Sequence, residues 1–134
     1  MLVPARPDYL STLGIDYLIR STNTLIREYN EYAELDTGSE TDTVNPRMLY
    51  IVFNMIQEYG GKPISTQRPF IAQTRRLSGV NVMEPYIKRN DTIFGDAPQY
   101  GVPTVLKGYT SGSHTSVVEG LEKVADVFCA GIGL

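Results

Sequence analysis

From Tyr9 onward the apolar positions Leu10, Leu13, Tyr17, Leu18, Leu25, Ile26, Tyr29, Tyr32 and Ala33 recur mostly at spacings of three and four. That period puts them on one side of a helix, with Arg20, Arg27, Glu28, Glu31 and Glu34 on its solvated side. Gly14 is the early weak point of this helix. A second pattern of the same kind closes the chain, over Thr115–Cys129. There Val117, Val118, Leu121, Ala125 and Phe128 share one face, and Glu119, Glu122, Lys123 and Asp126 share the other. Ser116 followed by Glu119 matches a capping box, in which the serine oxygen accepts from a free N–H of the first turn and the glutamate reaches back. Gly131 and Gly133 predict where this helix stops.

Between the two helices the pattern is interrupted. Residues 36–45 hold no large apolar side chain except Val44, and their Asp, Thr, Gly, Ser and Asn predict an exposed acidic loop. Arg47–Tyr59 follows Asn45-Pro46 and ends at Gly60-Gly61, which predicts a short, very apolar helix; its β-branched and aromatic residues keep a strand open as the alternative. Five prolines lie between Lys62 and Thr110. They punctuate short strands expected at Phe70–Thr74, Val80–Ile87 and Pro103–Gly108, and Asn90–Gly101 reads as a long loop. Pro4 and Pro7 make residues 1–8 an extended N-terminal arm. The expectation is one α+β domain over 1–134, its N-terminal and C-terminal amphipathic helices packed on a small, irregular, mainly antiparallel sheet.

Composition narrows what such a domain does. At 134 residues, 42% hydrophobic and 20% charged, the chain has enough apolar material for one core. The run Met48–Phe53, extended through Ile56, is far short of the roughly 20 residues that span a bilayer, and no basic start with an apolar stretch marks a secretory signal. Synthesis in the cytoplasm and no membrane contact are expected. Cys129 and His114 are each the sole residue of their type. An intramolecular disulfide, a cysteine zinc set and a two-histidine site are thereby excluded within one chain. No metal and no cofactor is expected.

Charge is unevenly distributed. Residues 1–61 carry four arginines against nine acids, net −5; residues 62–107 carry seven bases against three acids, net +4; the remainder is −2. An acidic half and a basic middle are complementary, within one fold or between neighbouring subunits. The basic pairs Arg75-Arg76 and Lys88-Arg89 flank a candidate strand holding Tyr86, a pattern that binders of single-stranded nucleic acid use. The acidic pI near 5.1 favours protein contacts instead.

Four short motifs bear on chemistry. Leu35-Asp36-Thr37-Gly38-Ser39 resembles the signature of the aspartic proteases, with Gly60-Gly61 where a flap falls and Ile93-Phe94-Gly95-Asp96 resembling the later supporting segment. That resemblance implies a retropepsin-like dimer in which Asp36 of each chain shares one proton. The chain departs from it at Glu34, where an apolar residue is usual, and in the helical pattern over 9–33, where that fold has strands. Asp36, Glu40 and Asp42 are hard oxygen donors for calcium, but no glutamate closes an EF-hand spacing. Gly108–Ser116 is a glycine- and hydroxyl-rich entry to a helix, yet it lacks the lysine of a phosphate loop. His114 has serines around it and no acid at a fixed spacing, so nothing marks a catalytic triad.

Nine tyrosines and no tryptophan complete the picture. Tyrosine joins apolar area to a hydroxyl and suits surfaces that a partner half buries. Arg75, Arg76, Tyr86, Lys88, Arg89 and Tyr100 are the candidate interaction residues. In size and organisation the chain is similar to the small virion proteins of tailed bacteriophages, such as head–tail connectors, tail completion proteins and capsid-decorating proteins. The resemblance implies a non-enzymatic, virion-associated subunit that works in a ring or other oligomer by contacting subunits of its own or a neighbouring kind.

Overall fold

The computed structural model of the chain describes residues 1–35, 43–46 and 50–134. It is a mixed α+β structure with helices at both ends. Strand β1 (Leu2–Ala5) leads into helix α1 (Tyr9–Leu35) and then strand β2 (Tyr50–Phe53). A hairpin of β3 (Glu58–Tyr59) and β4 (Lys62–Pro63) precedes α2 (Arg68–Arg75), α3 (Asp91–Tyr100), a 3₁₀ turn at Thr104–Leu106, and α4 (Gly112–Ile132). Among the described residues no helix is long and apolar enough to cross a membrane.

The expected antiparallel sheet is replaced at the centre by parallel pairing. β1 and β2 run parallel, Leu2 opposite Tyr50 and Ala5 opposite Phe53. On the other edge of β2 the extended segment 81–88 runs parallel too, bridging at Ile51–Val82 and Ile56–Lys88. Ile51 N–H donates to Asn81 at 2.7 Å, Met83 N–H to Ile51 at 2.9 Å and Ile87 N–H to Phe53 at 2.8 Å. The cause is connectivity: α1 lies between the first two strands and α2 between β2 and segment 81–88, and a helical crossover returns the chain to the same end of the sheet. Among the described residues only the β3–β4 hairpin is antiparallel. Residues 1–8 are accordingly no free arm, since Leu2–Ala5 is paired and Ala5 is buried.

Lying between two neighbours, β2 is buried at Ile51, Val52 and Phe53. A continuous apolar run is what a central parallel strand shows, and Tyr50–Phe53 is accordingly strand where the proline had indicated helix, residues 47–49 lying outside the described residues. Ala5, Ile15, Ile51, Phe53 and Ile56 form the core, with Ile19, Ile71, Leu77, Val82 and Tyr86 packed on it.

Local chemistry explains the other departures. Residues 70–74 lie in α2, where Thr74, fully buried, donates its hydroxyl to Phe70 O at 2.9 Å. Asn90–Gly101, expected as a loop, holds α3. Asn90 Oδ1 accepts from Ile93 N–H at 3.1 Å, and Gly101 closes the helix at φ 64°. Those two caps outweigh the helix-weakening Gly95 and Pro98. Thr104–Leu106 forms the 3₁₀ turn instead of a strand. The capping box is absent: α4 starts at Gly112, a turn before Ser116, whose hydroxyl donates to Ser113 O. At the far end Gly133, at φ 80°, and a Leu134 N–H bond to Cys129 O stop the helix at the second of its two glycines; Gly131 lies inside α4, which runs past the expected end at Cys129 to Ile132.

Asp8 caps α1, its carboxylate accepting from Ser11 N–H at 2.8 Å. The Ser11 bond, with Arg6 nearby, holds that carboxyl below its usual range. Near the other end, Asn30 fastens the backbone of Val44 from both sides, donating to its carbonyl at 2.9 Å and accepting from its N–H at 2.8 Å. Residues 43–46 are exposed. Asp36-Thr37-Gly38-Ser39 lies outside the described residues, as does the calcium reading of that loop. Its N-terminal flank is α1, where the aspartic-protease resemblance implies strands, and Ile93–Asp96 lies in α3.

Candidate functional site

The route from β2 to α2 sets up the best-defined surface features. After Phe53 the chain turns through Met55, whose φ of 56° is left-handed, a conformation that costs a side-chain-bearing residue about 1–2 kcal/mol. The Gln67 side chain holds this turn, accepting from Gln57 N–H at 2.9 Å and donating to Met55 O at 3.2 Å. The turn buries Ile56 beside Lys88 and delivers Glu58 to the base of the hairpin, whose two turn residues, Gly60 and Gly61, both have positive φ. This is the two-residue hairpin turn that glycine pairs favour.

Glu58 is thereby enclosed by two sequence-predicted residues. Tyr86 donates its hydroxyl to Glu58 Oε1 at 2.5 Å, and Lys88 Nζ lies 2.8 Å from Oε2. Burial alone would raise the Glu58 pKa, but the bonds from Lys88 and Tyr86 outweigh it and leave the carboxyl below its usual range. Burial and the negative partner push the Tyr86 hydroxyl up to about 12. Lys88 also reaches Ser116 Oγ at 3.5 Å, which ties the cluster to α4. The close approach of α4 depends on Gly120, where a Cβ would stand 3.3 Å from Tyr86 O.

Two clefts meet at this cluster. The first, of about 420 Å³, has an apolar floor of Phe53, Ile71, Val82 and Met83 and a rim carrying Arg68, Arg75 and Arg76, with Tyr86 at one end. Arg75 pairs with Glu84 at 3.3 Å; Arg68 and Arg76 have no acidic partner among the described residues. The second is wider, about 750 Å³, and polar, lined among others by Glu58, Lys88, Arg89, Asp91 and Ser116. In it Arg89 clasps Asp91, with nitrogen–oxygen distances of 3.0 and 2.8 Å.

These contacts fasten the β3–β4 hairpin to Tyr86, Lys88 and α4. Lys88 Nζ, next to Ser116, is engaged by Glu58 at 2.8 Å. The Ser116 hydroxyl is itself turned to Ser113 O. Among the described residues no three His, Cys, Asp or Glu side chains are grouped to hold a metal ion. His114 packs edge-on against Tyr109, with ring centres 5.4 Å apart, and Cys129 is half buried on α4.

Of the sequence-predicted interaction residues, Arg75, Arg76 and Tyr86 line the apolar cleft, and Lys88 and Arg89 line the polar one. Tyr100 ends α3, with its side chain outside the described residues. The sequence reading missed Arg68, Ile71 and Glu58. Arg68, Ile71, Ala72 and Arg75 follow the i, i+3, i+4, i+7 spacing of a helix face, a signal hidden when 70–74 is taken as a strand.

A further exposed feature lies on α1. This helix of 27 residues fully buries only Thr12 and Ile15, with Ile19 packed beside them. Leu10, Leu13, Tyr17, Leu25, Tyr29, Tyr32 and Leu35 point away from the core, each between 47% and 76% exposed. No protein-family model, curated protein or solved structure matches the chain.

Proposed function

We propose that this protein is a non-enzymatic structural subunit that docks into a larger assembly through the outward face of α1. The observation that carries the reading is that face: seven large apolar side chains on one helix of about 40 Å, open to water. Single exposed leucines are ordinary, but seven large apolar side chains left open on one helix are what a partner that covers them would explain. Ion pairing supports protein partners over nucleic acid, because Arg75, Lys88 and Arg89 each hold an acid of the same chain. The assembly that the chain's size and organisation resemble is the particle of a tailed bacteriophage.

The test is sedimentation velocity on the purified chain, alone and with candidate partner proteins. Wild type should associate, and Tyr17→Glu with Tyr32→Glu should leave a folded protein that does not. A wild type that stays monomeric under both conditions, or a double variant that assembles normally, overturns the reading.

A further inference from the structure

We infer that the apolar, arginine-rimmed cleft between α2 and segment 82–86 receives the C-terminal half of α1 from a second copy of this chain. This rests on the assembly reading above and adds the occupant. Two surfaces of one chain complement each other in shape class and in charge. The donor is a helix face on which Leu25, Tyr29, Tyr32 and Leu35 follow the i, i+4, i+7, i+10 spacing of anchors laid into a groove. Acids flank these anchors: Glu31 meets Arg27 only at 3.8 Å, and Glu28 has no basic partner among the described residues.

The acceptor has the opposite character. Its floor of Phe53, Ile71, Val82 and Met83 suits leucine and tyrosine side chains, and about 420 Å³ is a volume that houses a few of them. At its rim Arg68 and Arg76 are without acids among the described residues, and Arg75 shares the mostly exposed Glu84. Carboxylates at the edge of an incoming helix supply those partners, and planar guanidinium groups take them as paired bonds.

The contact must form between copies. Within one chain α1 turns its inner side to the core and touches α2, so its outward face is directed away from its own cleft. Donor and acceptor are different patches, which makes the contact heterologous: each copy gives a helix to one neighbour and a cleft to another. Repetition of such a contact closes into a ring or extends as a filament.

Charge exchange in the full-length chain tests this by sedimentation velocity at low salt. Arg68→Glu with Arg76→Glu makes cleft and helix both acidic; Glu28→Arg with Glu31→Arg makes both basic. Each variant alone should lose at least tenfold in association constant while keeping wild-type circular dichroism, and mixing the two should restore assembly, because each cleft again meets a helix of opposite sign. Failure of the mixture to recover overturns the proposal. So does a cleft variant that assembles like wild type while Tyr17→Glu with Tyr32→Glu does not, a result that leaves α1 docking intact and moves its occupant to another helix or another protein. A wild type that is monomeric alone but joins added partners has the same meaning.

Discussion

α1 and α4 look alike as sequence and are used in opposite ways. Both are long and amphipathic. α4 buries Val117, leaves Val118, Leu121, Val124 and Phe128 half covered, and gives Glu119, Glu122, Lys123 and Asp126 to water. α1 buries a narrower stripe of Thr12 and Ile15, and gives water its leucines and tyrosines as well as its charges. A small sheet has little surface to offer a helix of 27 residues, so α1 has two apolar faces and the core uses one. An amphipathic pattern therefore reports that a face is apolar, and leaves open whether the chain itself or a partner covers it.

The largest expected effect separates the two helices directly. Val117→Asp should cost about 4 kcal/mol or more in chemical denaturation, since a carboxylate replaces a fully buried side chain with no partner. Leu13→Asp on α1 should change the stability of the dilute monomer by less than about 0.5 kcal/mol and act on association only. Equal losses at the two sites would mean that the outward face of α1 is part of the chain's own core.

A smaller effect tests the latch that holds α4. Glu58→Gln should cost about 1–2 kcal/mol by weakening its bonds to Tyr86 and Lys88. The pH dependence has two arms. The Glu58 pKa is lowered by folding, so its contribution is present above its ordinary value of 4.5 and is lost as pH falls through the lowered one. The Tyr86 pKa is raised from 10.0 to about 12, so its contribution is complete below pH 10 and disappears as pH climbs towards 12. Tyr86→Phe should remove the alkaline arm of a stability profile and leave most of the acid arm.

The smallest effect belongs to the start of α1. Asp8→Ala should cost about 1 kcal/mol by removing its cap, read as a fall in thermal midpoint, with association unchanged if the docking face lies further along the helix. A loss of association larger than this destabilisation explains would place Asp8 itself in the contact.

The helices at both ends were legible because their period of three and four runs over many residues. The loop at 43–46 and the α4 stop at Gly133 were legible from turn and capping residues. α3 was readable in principle from Asn90 and Gly101, its cap and its end, but Gly95 and Pro98 masked it. At the site, the basic residues at 75–76 and 88–89 and Tyr86 stand out as sequence. Their separation into two clefts depends on Glu58, 28 residues from Tyr86, and no local pattern relates the two.

What the sequence by itself determined is the content of each segment: which stretches are apolar, which carry charge, and where glycine, proline and asparagine end an element. These follow from the preferences of neighbouring residues. Only the tertiary structure decided that the strands pair in parallel, that β2 is central, and that the apolar row of α1 is left over. Burial depends on which surfaces meet, and in a chain with one small sheet the area available to cover a helix is settled by residues far away in sequence.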